Sequence, residues 1–196
     1  MINLEKIKSI YKFSRELTLS DIQVILQATT TKSFAPSEYL IQEGGIQREI
    51  FFITKGLARS FAVNDKGDEI TIGLFWENQP LASTDIIIFN QPSRHYFQAL
   101  EPTKVLSINY DLLQDILRKH PKLIENRKIL FQKILKRAQD RIESFVLYSP
   151  EERYLRFVEE YPDIINRVPN KYIANVLGIT PVSLSRIRSR LASKKK

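Results

Sequence analysis

The chain has 196 residues, with 30 Lys+Arg against 22 Asp+Glu for a formal net charge of +8, and it contains no cysteine. That length suits one domain of ordinary size and a small companion, and a hydrophobic content of 43% is enough to build a core. Without Cys there are no disulfides, no Cys-ligated zinc, no iron–sulfur cluster and no thiol redox sensor.

Taken in chain order, Met1–Lys12 alternates charged and apolar residues and lacks the apolar core of a secretory signal. The longest wholly apolar run, Ile86–Phe89, is far short of the roughly 20 residues a membrane helix needs. A soluble, cytoplasmic protein with no membrane partner is expected. Ser20-Asp21 is an N-cap signal for a short helix over Ile22–Ala28. Five of the six glycines fall between Gly44 and Gly73, where short apolar runs alternate with turn signals. Tyr39–Ile41, Glu49–Thr54, Leu57–Val63, Glu69–Phe75 and Phe97–Ile108, the last broken at Pro102, read as strands. Asn64-Asp65-Lys66-Gly67 is a hairpin turn, with glycine supplying the positive φ. A compact antiparallel β unit over about residues 31–109 follows from this pattern.

From Asp111 the period becomes helical. Asp111–Lys119 forms one short helix, and Pro121 suits the first position of the next. Neither Gly nor Pro interrupts the chain from there to Leu147, which predicts a helix of about 27 residues, roughly 40 Å long. Ile124, Phe131, Ala138 and Phe145 recur every seven positions, flanked by Leu135 and Ile142. A seam of that length repeats like a coiled coil and is expected to pair with a second copy. Ser149-Pro150-Glu151-Glu152 then caps a further helix to about Tyr161 and marks a domain boundary.

Asn170–Ser189 fits a helix-turn-helix. Ile173 and Leu177 are apolar on the first helix, and Ala174 is small enough for a second helix to cross it closely. Gly178 supplies the left-handed turn residue, Ile179 fills the space beneath, and Thr180-Pro181 caps and starts the second helix. Leu184, Ile187 and Leu191 form its buried stripe, while Ser183, Arg186 and Arg190 face the other way with Arg188 on the flank. The charge distribution points to the same end of the chain. No acidic residue follows Asp163, and the whole excess of eight sits on Arg167, Lys171, Arg186, Arg188, Arg190 and Lys194–Lys196. Such a segment needs a polyanionic partner.

With these residues in place, the chain resembles the Crp/Fnr transcriptional regulators of the cyclic-AMP receptor type. The resemblance runs through Gly44-Gly45, Ile50–Gly56 and Asp65–Glu69 to the long helix and Asn170–Leu191. It implies an α+β fold: an N-terminal antiparallel β-roll, a jelly roll like that of cyclic-nucleotide-binding domains, then a long dimerisation helix and a C-terminal helix-turn-helix. The corresponding divisions are residues 1–120, 121–148 and 149–196. A homodimer is implied, its two recognition helices, 181–192, entering successive major grooves of a two-fold symmetric double-stranded DNA operator. RNA polymerase would be a further partner of an activator. Carried over to this chain, the base-reading positions are Pro181, Val182 and Arg186. Ser183, Lys171, Arg188, Arg190 and Lys194 are the expected phosphate contacts. The resemblance leads us to expect a variant without the family's C-terminal wing, with the Lys194–Lys196 tail substituting for the wing's backbone contacts.

Members that bind cyclic nucleotides hold the phosphate with a Gly-Glu pair at a short helix and an Arg about ten residues on. Here the stretch reads Gln79-Pro80-Leu81-Ala82-Ser83-Thr84-Asp85 and then Pro92-Ser93-Arg94, so Gly and Glu are absent. Asp85, Ser93 and Arg94 are the candidate effector residues, and Arg94 is placed to pair with Asp85 across the turn. No cofactor or metal is expected; a haem would rest on His95 or His120 alone. The family leaves an unidentified small-molecule effector open. An enzyme has no support: there is no HExxH, no G-x-S-x-G and no Gly-rich phosphate loop. The competing class is a β-roll ligand-binding or dimerisation module whose basic C-terminal helices bind a protein or membrane partner. A steep fall of binding with salt separates DNA from such partners.

Overall fold

The computed structural model describes residues 18–193. In chain order the elements are α1 (Leu19–Gln27), β1 (Thr30–Phe34), β2 (Tyr39–Ile41), β3 (Glu49–Lys55), β4 (Ala58–Val63), β5 (Glu69–Phe75), β6 (Pro80–Leu81), α2 (Thr84–Ile87), β7 (Tyr96–Ala99) and β8 (Thr103–Asn109). Five helices follow: α3 (Tyr110–Lys119), α4 (Pro121–Leu147), α5 (Pro150–Glu160), α6 (Asn170–Val176) and α7 (Pro181–Ser193). The described residues divide into two compact units, one of 18–62 together with 73–131, the other of 63–72 together with 132–193.

The strands form two four-stranded sheets, ordered β1-β8-β3-β6 and β2-β7-β4-β5, and every pairing given for them is antiparallel. Alternation along the strands decides what each face covers. Ile41, Phe51, Ile53, Ala58, Leu81, Ile86, Phe97 and Val105, drawn from both sheets and α2, make one buried cluster. One residue along β8, Leu106 points the other way and packs with Ile22, Leu117 and Leu123 from the helices. That single-residue alternation between Val105 and Leu106 makes β8 the wall between two apolar layers.

The helix expected over Ile22–Ala28 runs instead over Leu19–Gln27. Thr18, not Ser20, is its N-cap: the Thr18 hydroxyl accepts from the Asp21 amide while the Asp21 carboxylate accepts from the Thr18 amide. Asp21 thus closes a reciprocal capping box as the third helical residue. The strand read as starting at Leu57 begins at Ala58. Strands β1 and β6 and the single turn α2 carried no separate sequence signal. The hairpin at Asn64–Gly67 forms as expected, with Gly67 at φ 83° and Asn64 Oδ1 accepting from the amides of Lys66 (3.0 Å) and Asp68 (2.9 Å).

Helix α4 occupies the predicted span of 27 residues from Pro121 to Leu147. Helix α5 begins with the predicted Ser149 cap, a capping box with Glu152 and Pro150 in the first turn. None of the helices among the described residues is long and apolar enough to cross a membrane.

Candidate nucleic-acid interface

The C-terminal unit is organised around a small core of Phe157, Ile164, Val168, Ile173, Ala174, Leu177, Leu184 and Ile187, all buried. A fully buried Leu or Ile contributes about 1.5–3 kcal/mol, and Ile173 and Leu184 are both at 0% exposure. Ala174 is equally buried, at the crossing where a larger side chain would separate α6 from α7.

Between the two helices, Gly178 sits at φ 66°, and a Cβ there would come within 2.5 Å of the Phe145 ring. Both the backbone conformation and the space at this turn therefore require glycine. The Thr180 hydroxyl accepts from the Ser183 amide at 3.1 Å and caps α7. Arg153, on α5, fastens the turn from outside: its Nε donates to the Leu177 carbonyl (3.0 Å) and its Nη1 to the Tyr148 carbonyl (2.7 Å). Its guanidinium also lies 5.0 Å from the centre of the Phe145 ring. On the opposite side of α6, Asn175 Oδ1 accepts from the Thr71 amide at 3.2 Å, and Arg141 donates to the Ile72 carbonyl. Burial pushes the Arg141 guanidinium below its ordinary value, as does the neighbouring charge of Arg137.

The predicted contact residues meet three different fates on this scaffold. Pro181, Val182 and Arg186 are all exposed on α7, away from Leu184 and Ile187. Among the described residues Arg186 has no hydrogen-bond or ion-pair partner, so its five N–H donors face solvent. Arg188 is engaged within the fold, donating from Nε to the Tyr154 hydroxyl (3.1 Å) and from Nη1 to Asn170 Oδ1 (2.6 Å). Arg190 forms an ion pair with Glu151 at 3.1 Å. Ser183 is half-buried, its hydroxyl 3.0 Å from that of Thr180, and Lys171 is exposed on α6. Lys194 lies outside the described residues.

Arg186, Ser189, Arg190 and Ser193 line one shallow, open cleft along α7. Ser189 was missed in the sequence, although its spacing of seven from Val182 and three from Arg186 places it on the same face. Arg153 and Asn175 were missed for a different reason. Their partners are backbone groups, which leave no residue-type signature.

The effector residues come together in the β-sheet unit. The Asp85 carboxylate, 3% exposed, accepts from the Arg94 amide (3.0 Å) and from Arg94 Nε (3.0 Å), with Arg94 Nη2 at 2.9 Å. His95 Nδ1 is 3.9 Å from the same carboxylate. Burial alone would raise the Asp85 carboxyl, but the hydrogen bonds and charge of Arg94 outweigh it and hold it below the usual carboxylate range. Ser93 is buried, its hydroxyl donating to the His95 carbonyl, and its backbone bridges the turn at Gly44-Gly45. The Ser83 hydroxyl is also buried and has no hydrogen-bond partner among the described residues.

On α4 the predicted stripe is open to solvent. Ile124, Phe131, Leu135, Ala138, Ile142 and Phe145 are all exposed, Leu135 at 69% and Ile142 at 66%. Ile134, Val146 and Leu147 add to it. Phe145 has a second role against Gly178.

The described residues thus combine an antiparallel two-sheet unit with a tight helix-turn-helix. Residues 31–120 match the family model of the cyclic nucleotide-binding domain. The chain is 27% identical over 170 residues to the regulatory protein HlyX of Actinobacillus pleuropneumoniae, covering 81% of this chain and 70% of that one. It is 28% identical over 171 residues to the fumarate and nitrate reduction regulatory protein of Vibrio cholerae, covering 81% and 67%. Its fold matches that of the c-di-GMP-responsive global regulator CLP of Xanthomonas campestris, at a TM-score of 0.73 and 13% identity, over 91% of this chain and 93% of that one. Residues 31–120 thus match a cyclic nucleotide-binding domain, and over most of its length the chain is similar to transcription regulators of the Crp/Fnr type.

Proposed function

We propose that this regulator is a homodimer that reads a two-fold symmetric DNA operator with α7. The observation that carries this reading is Arg186, an exposed guanidinium without a partner among the described residues, on a helix whose start is fixed by Gly178 and the Thr180 cap. A cation left unpaired beside a rigid turn suits a bidentate contact to guanine O6 and N7, worth about 1–3 kcal/mol of discrimination. Val182, 60% exposed, offers a methyl-sized apolar contact for a thymine, and Pro181 offers no donor at all. Lys171, Ser183 and Arg190 stand at the flanks, where phosphates run.

The exposed α4 stripe supports the dimer. Leu135 and Ile142 alternate with Phe131, Ala138 and Phe145 at spacings of three and four, which is the a/d pattern of a two-helix seam. In such a dimer the half-site centres lie about 34 Å apart, one turn of DNA.

The residues at the effector position do not suit a cyclic phosphate. Arg94, the cation that would meet it, already holds the buried Asp85 carboxylate through three N–H groups, and a second anion there would face that carboxylate. We therefore read the chain as using no cyclic nucleotide. A different small effector stays compatible with the fold.

Fluorescence anisotropy with operator selected from a random duplex pool tests the reading. Arg186→Ala should lower affinity for the selected site about 5- to 150-fold while leaving random-duplex binding and sedimentation as a dimer nearly unchanged. Equal affinity of the variant and the wild type for the selected site would refute it.

A further inference from the structure

Two consecutive acids open α5, and they do different things. Glu152 is turned inward on its own helix end, accepting from the Ser149 amide (2.8 Å) and hydroxyl (2.7 Å). These bonds hold its carboxyl below the usual range. Glu151 reaches across to α7, where its Oε2 lies 3.1 Å from Arg190 Nη2. The α7 face that carries Arg186, Ser189 and Ser193 also carries Arg190. Arg190 is thus at the edge of the reading face, 61% exposed in its side chain, with a carboxylate as its counter-ion.

We infer that Glu151 is a positioning residue for DNA binding, an internal counter-ion that Arg190 must exchange for a backbone phosphate when α7 enters the groove. The inference rests on the DNA reading above and deepens it. A cation already paired with protein carries a weaker claim on phosphate, because binding must break one ion pair to make another. It also releases fewer condensed counter-ions, since part of its charge is neutralised before the encounter. Arg186, with no such partner, keeps its full attraction for an anion. The arrangement keeps the base-reading arginine unpaired while moderating the phosphate-seeking one, which restrains non-specific affinity without touching sequence preference. Arg188, tied to the neutral Tyr154 and Asn170, is restrained by geometry instead.

The ion pair is partly exposed, so the effect is modest. The probe is a fluorescein-labelled mixed-sequence duplex, titrated with the full chain over a range of salt. Glu151→Gln should bind about threefold tighter, with the slope of log affinity against log salt steeper by about 0.9. Glu152→Gln changes the net charge equally, keeps the capping geometry, and leaves the Glu151–Arg190 pair intact, so it should move binding far less. In an Arg190→Ala background the Glu151→Gln gain should disappear. If Glu151→Gln leaves affinity and slope unchanged, or if its gain survives in Arg190→Ala, the exchange is wrong while the DNA reading stands. Absence of salt-dependent duplex binding by every variant, wild type included, overturns the DNA reading and this inference with it.

Discussion

The fold offers an anion two exposed guanidinium groups in settings that look alike in the sequence and differ in the structure. Arg94 and Arg186 each follow a helix start within about ten residues, and each lies among small polar residues. Arg94 is closed: Asp85, buried at 3%, takes its Nε, its Nη2 and its backbone amide. Arg186 is open, without a partner among the described residues. A cation marks an anion site only when the protein has not already supplied the anion. The position expected for an effector and the one proposed to read DNA therefore differ in this chain, the first holding an internal ion pair and the second without a partner among the described residues.

The strongest way to break this contrast is to remove the turn that presents Arg186. Gly178→Val puts a β-branched residue at φ 66° and drives its Cβ into the Phe145 ring, which lies 2.5 Å from that position. Strain and overpacking together should cost about 3 kcal/mol or more. Chemical denaturation should show the loss and the duplex affinity should fall with it. Gly178→Ala in a Phe145→Leu background separates the two causes. Recovery of most of the stability would assign the cost to the ring, and none would assign it to the backbone.

A smaller change should make the closed site resemble the open one. Asp85→Asn removes the buried charge and leaves Arg94 without its counter-ion, at a cost of about 1–3 kcal/mol. The expected gain is a new response to anions: phosphate should raise the melting temperature of the variant and not that of the wild type. The pH dependence follows from the direction of the shift. Asp85 is held below its ordinary value near 3.8, so its contribution is fully present above that pH and is lost as pH falls through the lower folded value. Unfolding measured at pH 7 and below pH 4 should therefore show the wild type and Asp85→Asn converging at the acid end. A difference that persists unchanged into acid would mean that the carboxylate charge is not what closes the site.

How much of this contrast was readable beforehand depended on whether the signal was local. The Asn64 hairpin and the Thr180 cap rest on residues within four positions of one another, and the span of α4 on one uninterrupted stretch with a seven-residue repeat; all were legible. The pairing of Arg94 with Asp85 was also legible, because a turn brings nine-residue neighbours together. Three features were not. Strand β6 and helix α2 are two and four residues long, too short for a period to show. Helix α1 begins earlier than read because Asp21 acts through the Thr18 amide and not as a cap itself. The ties of Arg153 and Asn175 to backbone groups, and of Arg190 to Glu151, depend on how three helices pack. A count of eight positive charges said where DNA should bind but not which of those charges were already occupied.

The smallest effect gives the finest test of whether the Asp85 region is sealed. Ser83 is the N-cap of α2, and capping serines normally contribute about 0.5–2 kcal/mol. Here the hydroxyl makes no cap bond and, although buried, has no hydrogen-bond partner among the described residues. An unsatisfied buried hydroxyl is a cost, so Ser83→Ala should leave stability within about 0.5 kcal/mol of wild type or raise it slightly. A loss of 1 kcal/mol or more would show that the hydroxyl has a partner in solution, an ordered water or a bound effector. Addition of cell-extract small molecules would then distinguish the two. A stabilisation of wild type that Ser83→Ala lacks would place an effector beside Asp85, and the closed site would have to be redrawn as a selective one.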